Sequence, residues 1–261
     1  MNGPGREHSL FSIVIPVFNE EGAVLTVVKR AHEIFPGAEI IVVDDGSVDG
    51  TARVLADAPV RVISHEENRG YGAAIKTGIA AARHDIVVTI DADGEHVPED
   101  IALLLKGLND ADMVVGARCG GCRCPLSIKS LGRMVLNEVA CFLSSSRIPD
   151  INSGLRVFRK DAVVGHLDFF PNTFSFHTTS TLAILFSGGR IRYVPVKVAP
   201  RVGVSKVRIW DGVVSLAFVT RLAWRWHSAR VVVGILSMAG LIGGLSGLLC
   251  SLGSVSRWMV M

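Results

Sequence analysis

The sequence predicts an α/β fold: a mostly parallel sheet flanked by helices, followed by a basic amphipathic helix and one C-terminal transmembrane helix. Two observations predict the first part. Over the first 118 residues short apolar runs alternate with amphipathic stretches, and those runs are continuous in Val and Ile instead of alternating with polar residues. Continuous runs are what parallel strands covered on both faces need, and strands alternating with helices build a parallel sheet. One observation predicts the second part: the 26 residues from 231 to 256 carry no charge. At about 1.5 Å rise per residue such a helix spans the roughly 30 Å hydrocarbon core.

Taken in order, strands are expected at residues 11–16, 39–44, 60–64, 85–91 and 112–117, each a short run rich in β-branched residues. Helices are expected between them at about 20–34, 51–58, 72–82 and 98–108. Pro98 suits a first helical turn, where Glu99 and Asp100 would complement the helix dipole. The pattern then loosens into a loop over 119–127, a helix over about 128–144, a strand at 155–159, a helix at 175–186 and a strand at 191–199. The hydroxyls around Ser175, Thr178 and Thr179 are expected as helix caps. Residues 211–227 read as a helix with Arg221 and Arg225 on one face, suited either to the membrane interface or to packing on the sheet. The implied domains are a tail (1–9), an α/β domain (10–210), an interfacial helix (211–229), a transmembrane helix (230–256) and a second tail (257–261).

Composition narrows the class. A mean hydropathy of +0.42 is high for a soluble enzyme, and the charged fraction of 20% is too low, beside 49% hydrophobic residues, for a disordered chain. Five cysteines in 261 residues are too few for a disulfide scaffold. Cys119, Cys122 and Cys124 stand close together without an obvious fourth zinc ligand, so reduced thiols in a cytoplasmic loop are expected. Between Arg190 and Arg230 there are nine basic residues and one acid, Asp211, so the balance of the chain is acidic. Basic flanks stay on the cytoplasmic side of a membrane span. Trp210, Trp224 and Trp226 before the span and Trp258 after it suit the two interfaces. A cytoplasmic α/β domain on a single-pass inner-membrane anchor follows, with no nucleic-acid partner implied. Small residues at Ala239, Gly243 and Gly247 allow close packing between copies, although glycine is common in membrane helices in any case.

Chemistry concentrates at strand ends. In open parallel sheets ligands bind beyond the carboxyl ends of the strands. Here one strand runs into Asp44-Asp45-Gly46-Ser47 and another into Asp91-Ala92-Asp93-Gly94. Carboxylates gathered on one edge repel unless a cation or hydrogen-bond donors compensate. Asp91 and Asp93 could share a divalent ion, and hard oxygen ligands select Mg²⁺ or Mn²⁺. The competing reading of Asp-X-Asp is a turn closed by Asx hydrogen bonds.

The ordered set Pro16-Val17-Phe18-Asn19-Glu20-Glu21, Val43-Asp44-Asp45-Gly46-Ser47, Asn68-Arg69-Gly70 and Asp91-Ala92-Asp93 resembles the family 2 glycosyltransferases with the GT-A fold. Val115-Gly116-Ala117-Arg118, Asp150-Ile151-Asn152-Ser153-Gly154-Leu155-Arg156 and Arg201-X-Gly203-X-Ser205-Lys206 resemble its polyprenyl-phosphate branch, which includes dolichyl-phosphate mannose synthases and undecaprenyl-phosphate glucosyltransferases. The resemblance covers about residues 10 to 210. It implies inverting transfer of a sugar from GDP-mannose or a UDP-hexose to a polyprenyl phosphate at the cytoplasmic membrane face.

The resemblance also implies roles. Pro16, Phe18, Glu20, Asp44, Asp45, Gly70, Lys76, Asp91 and Ala92 would bind the donor, and Asp91, Asp93 and Glu95 the metal. The family often carries Gln where Glu95 stands, so Glu95 is a ligand or merely the exposed approach to the next helix. Arg118, Lys129, Arg133, Ser205 and Lys206 would hold the acceptor phosphate. Asp93, Asp150, Arg118 and Arg201 would be the catalytic set, with Asp150 a positioning group or a base. Arginines suit bidentate phosphate binding, although Arg201 and Lys206 also fit a plain positive-inside signal. Two other readings stand beside this one: a saccharide or protein acceptor, and a catalytically silent binding module. The Gln-X-X-Arg-Trp motif of the processive synthases is absent, since neither Arg225-Trp226 nor Arg257-Trp258 has Gln three residues earlier.

Overall fold

The computed structural model describes residues 10–118 and 137–200, with residues 218, 219, 221 and 224. Strand β1 (Ser12–Val17) is buried along its whole length. The sheet grows from it on both sides. β2 (Glu39–Asp44) and β4 (Ile86–Thr89) pair with β1 in parallel, and β3 (Arg61–Ser64) pairs in parallel outside β2. Beyond β4 comes β6 (Arg156–Arg159), antiparallel to β4 and to β5 (Met113–Arg118). β7 (Ile191–Val196) closes the order β3-β2-β1-β4-β6-β5-β7, parallel to β5. This is the expected mostly parallel sheet, with one reversed strand inside it.

Helices cover both faces, which is why the strands are apolar without alternation. Ile13 and Ile15 pack with Val24 and Val28 of α1 (Val24–Ile34) and with Ile101 and Leu104 of α4 (Asp100–Gly107). Val14 and Val43 face the other way, into a cluster with Ile75 and Ile79 of α3 (Tyr71–Ala81) and Leu182 of α7 (Phe176–Phe186). α5 (137–144) supplies Ala140 and Leu143 to that second cluster, and α6 (Asp161–Val164) supplies Val163. α2 (Thr51–Leu55) completes the helices between strands. From the stretch 211–227, Val219 is fully buried in the second cluster while Trp224 is exposed.

Several expected boundaries move, for identifiable reasons. The first helix starts at Val24 because residues 19–21 hydrogen-bond across to the next loop instead of along a helix. Pro98 lies before α4, whose N-cap is Glu99, so it is not a first-turn residue. The hydroxyls of α7 are not caps: Thr179 and Thr181 donate back to the carbonyls of Ser175 and His177 one turn earlier, a bond that Ser and Thr make readily inside helices. The strand expected to reach residue 199 ends at Val196. No described helix is long and apolar enough to cross a membrane, and residues 225–261 with the expected span lie outside the described residues.

Gly78 lets α3 press onto β1: a Cβ there would sit 2.2 Å from Val14 Cγ1. In an exposed helix Gly→Ala is worth about 1 kcal/mol in favour of Ala, whereas overpacking a core costs about 1–3 kcal/mol. Val14 is β-branched and enclosed and cannot yield easily. Gly78→Ala is therefore expected to lower the thermal unfolding midpoint, a sign opposite to the propensity effect and readable by calorimetry.

Candidate active site

The ends of β1 and β2 form one braced unit. Asn19 has a left-handed backbone, φ 52°. Its N–H donates to Ser47 Oγ at 2.9 Å, and its own side-chain oxygen accepts from the Val48 N–H at 2.8 Å. The Glu20 N–H donates to Thr51 Oγ1, and Glu21 Oε2 accepts from the Gly50 N–H. Gly46, φ 71°, crosses Glu67 so closely that a Cβ would lie 2.6 Å from its carbonyl carbon. Pro16 is buried in β1, and Phe18 and Glu20 are half-buried on the loop that follows.

The two aspartates at the end of β2, Asp44 within it and Asp45 just beyond, differ. Asp44 accepts from the Ser47 N–H at 3.0 Å. Asp45 turns inward and accepts from the Arg69 and Gly70 N–H groups at 2.9 and 2.8 Å, with His65 Nδ1 2.7 Å away. Asp45 is thus the clasp of the Asn68-Arg69-Gly70 turn. The expected donor residue Lys76 donates to the Phe170 carbonyl at 2.9 Å and so ties α3 to the segment before α7.

Asp91 and Asp93 follow β4 as expected, with Ala92 buried between them. Asp93 Oδ1 accepts from the Glu95 N–H at 2.9 Å, so the Asx turn is present. Asp91 Oδ1 accepts from the Tyr71 hydroxyl at 2.5 Å, and His177 Nε2 lies 2.7 Å from the same hydroxyl. Burial and the Asp91 charge push the Tyr71 pKa well above its ordinary value, and burial pushes His177 well below its own. Tyr71 therefore stays protonated and His177 neutral at physiological pH. Among the described residues no three Asp, Glu, His or Cys side chains form a ready metal cage. Glu95 reaches instead toward Arg118, 3.3 Å from Nη1. Hard carboxylate oxygens without a closed cage suit an ion that keeps waters and arrives with substrate phosphates.

Arg118 ends β5 and meets Asp150 as a fork, Nε to Oδ2 at 2.7 Å and Nη2 to Oδ1 at 3.0 Å. Burial alone would raise the Asp150 pKa, but the hydrogen bonds and charge of Arg118 hold it below the usual carboxylate range. A carboxylate held this way binds a proton weakly, which makes Asp150 a better positioning group than a base. Behind it lies Arg156, fully buried. Its guanidinium donates to the carbonyls of Ser153, Ile151 and His177 and to Thr181 Oγ1. Burial without a carboxylate contact brings its pKa down to about 10.

Of the residues named from the sequence, the structure places Asp44, Asp91, Asp93, Arg118 and Asp150 around one edge of the sheet. Arg201, Lys129, Arg133, Ser205 and Lys206 lie outside the described residues, as does the loop with Cys119, Cys122 and Cys124. The reading missed Tyr71, His177 and Arg156. A signal existed for Arg156, which stands in one of the motifs that carry the resemblance, and for Tyr71, set between two glycines. His177 had none.

Two outcomes follow. Arg156→Lys replaces a planar five-donor group by an ammonium with three donors. Leaving buried carbonyls without partners is expected to cost about 2–4 kcal/mol of stability, readable by denaturant unfolding. For Asp150, a depressed folded pKa adds stability above its ordinary value of 3.8 and loses it as pH falls through the lower folded value. Asp150→Asn is expected to be less stable than wild type by roughly 1–3 kcal/mol at neutral pH. That gap should close progressively below about pH 4 in a series of unfolding curves.

The family model for glycosyl transferase family 2 matches residues 12–166. The undecaprenyl-phosphate mannosyltransferase of Micrococcus luteus is 30% identical over 241 residues, covering 85% of this chain and 98% of that one. The UDP-N-acetylglucosamine–dolichyl-phosphate N-acetylglucosaminyltransferase of Methanococcus voltae is 34% identical over 180 residues, covering 59% and 71%. Among solved structures, glucosyl-3-phosphoglycerate synthase of Mycobacterium tuberculosis, in complex with Mn²⁺, UDP and phosphoglyceric acid, shares the fold. Its TM-score is 0.63 at 22% identity, covering 82% of this chain and 78% of that one. With its sheet order, its strand-end aspartates and these relatives, the chain belongs to glycosyl transferase family 2, and its relatives are the polyprenyl-phosphate transferases of that family.

Proposed function

We propose that this chain transfers a sugar from a nucleoside-diphosphate donor to a polyprenyl phosphate at the cytoplasmic face of a membrane, with inversion at the anomeric carbon. The observation that carries the reading is one edge of the sheet on which Asp44, Asp91 and Asp93 stand beside the Arg118–Asp150 fork. Relatives named for undecaprenyl and dolichyl phosphates supply the acceptor class. They differ in the sugar, mannose in one and N-acetylglucosamine in the other, so GDP-mannose and UDP-hexoses are both candidate donors.

In this reading Asp44 and the braced loop after β1 receive the nucleoside, and Asp91 and Asp93 hold Mg²⁺ or Mn²⁺ on the diphosphate. A divalent ion there neutralises charge developing on the leaving group. Arg118 orients the acceptor phosphate, and Asp150 and Glu95 hold its guanidinium in place meanwhile. A phosphate monoester has a second pKa near ~6, so the acceptor is largely a dianion at neutral pH and needs little help from a base. Attack from the side opposite the leaving diphosphate gives inversion. The stretch 211–229, docked on the domain at Val219, turns its exposed side to the bilayer surface and the span at 230–256 anchors it, so the phosphate head meets the domain while the polyprenyl chain stays in lipid.

The test is lipid labelling. Membrane-reconstituted protein is incubated with undecaprenyl or dolichyl phosphate, Mg²⁺ or Mn²⁺, and each of a panel of radiolabelled nucleotide sugars. Label is expected in the organic phase with at least one donor and is expected to vanish with chelator. Asp93→Ala should lower the rate by at least about 100-fold, as loss of a group that stabilises transition-state charge does. No metal-dependent lipid product with any donor would end the proposal.

A further inference from the structure

The Asp91 carboxylate is held from outside its own strand. One oxygen accepts from the Tyr71 hydroxyl at 2.5 Å. The other lies against Gly154, where a Cβ would stand 2.1 Å from Oδ2, so only glycine leaves room for it. Gly154 is in turn fixed by its carbonyl, which accepts from Thr89 Oγ1 at 3.0 Å.

Hydrogen-bond chemistry sets the direction of the chain behind Tyr71. An ionised carboxylate only accepts, and a phenol has a single proton to donate. Tyr71 gives that proton to Asp91, so at His177 its oxygen is the acceptor. His177 Nε2, 2.7 Å away, therefore carries a hydrogen, and the proton sequence runs His177 Nε2–H to Tyr71 O–H to Asp91. The Nδ1 atom of His177 is then the unprotonated one, consistent with its burial without a hydrogen-bond partner among the described residues.

Both members are pinned. The Tyr71 ring stacks on Phe174 at 4.9 Å with an interplanar angle of 20°. The next residue, Gly72, donates its N–H to the Asn172 carbonyl at 2.8 Å. The His177 carbonyl accepts from Arg156 Nη1 at 3.1 Å. An arrangement serving only to fill the core would not need a buried histidine on a tyrosine hydroxyl that is itself bonded to one carboxylate oxygen.

We propose that Tyr71 and His177 are the positioning pair of Asp91, fixing its carboxylate for the divalent ion that accompanies the donor diphosphate. The inference rests on the metal-dependent reading above and adds to it two residues that act through Asp91. Outer partners of metal-binding carboxylates typically set affinity by 10–100-fold.

The test reads metal binding directly. Full-length protein is titrated with Mn²⁺ in the presence of UDP, and in parallel GDP, and free Mn²⁺ is followed by electron paramagnetic resonance. Tyr71→Phe keeps the ring and its stack on Phe174 and removes only the hydroxyl. It is expected to weaken Mn²⁺ binding by about 10-fold or more, while nucleotide affinity without metal changes by less than about twofold. His177→Leu is expected to weaken Mn²⁺ binding in the same sense, and His177→Gln, whose amide presents a donor at the Nε2 position, to restore it toward wild type. Wild-type Mn²⁺ affinity in Tyr71→Phe, or equal weakening in His177→Leu and His177→Gln, would overturn the pairing. If the wild-type protein itself holds no Mn²⁺ with either nucleotide, the pairing falls together with the metal reading. If lipid labelling fails but the Tyr71→Phe and His177→Gln results hold, only the acceptor assignment falls and the pairing stands.

Discussion

Asp44 ends β2 and Asp45 follows it, and Asp91 and Asp93 follow β4, with only β1 between those strands in the sheet. Like charges crowded on one low-dielectric edge destabilise one another, and the arrangement persists only where donors answer each carboxylate. Each is answered differently. Asp44 and Asp93 take N–H groups of their own turns, from Ser47 and Glu95. Asp45 takes those of the Arg69-Gly70 turn, and Asp91 takes a phenol. Asp150 takes a guanidinium. Much of the loop architecture at this edge follows from that one electrostatic constraint.

Arg156 shows how far the constraint reaches. Its guanidinium is fully buried and bonds to carbonyl oxygens and a hydroxyl, without a carboxylate contact. Pairing it with an acid would neutralise it locally. Left unpaired, it places positive charge beneath the aspartates, and the Asp91 and Asp150 charges act in turn to hold its proton. Desolvation works against this, and the planar fork of Arg offsets it by filling several hydrogen bonds at once in fixed directions. The carbonyls it satisfies belong to the 151–153 loop and to the first turn of α7. One buried cation thus serves electrostatics and packing together.

What could be read in advance divides along the same physics. β1, β2, β4 and β5 announce themselves because burial on both faces leaves no choice but continuous apolar runs. The aspartates announce themselves because their cost at a strand end demands a purpose. The reversal of β6 was not legible, since Arg156–Arg159 is as apolar in its middle as a parallel strand would be. Nor was the bond between Arg118 and Asp150, 32 residues apart, or that between Tyr71 and His177, 106 residues apart. These are pairings that only the closed fold creates. The hydroxyls of α7 misled for a local reason: Ser and Thr serve caps and back-bonds equally well, and burial of the whole helix selects the latter.

In the proposed reading, the reversed strand is what brings donor and acceptor chemistry together. β6 lies between β4 and β5 and runs against both, so its first residue, Arg156, pairs with Thr89 near the end of β4 and with Val115 in β5. The segment that leads into it, residues 150–155, is thereby carried across the edge on which the parallel strands end. At one point this segment offers Gly154 to the Asp91 carboxylate, and at another Asp150 to Arg118. In the proposed reading those two contacts belong to the two substrates, the diphosphate and the lipid phosphate. A parallel strand in the same place would bring its leading segment to the opposite edge, and a separate loop would have to link the halves. Five residues between Asp150 and Arg156 do so here, anchored from beneath by Arg156 itself, whose guanidinium holds the carbonyls of Ile151 and Ser153.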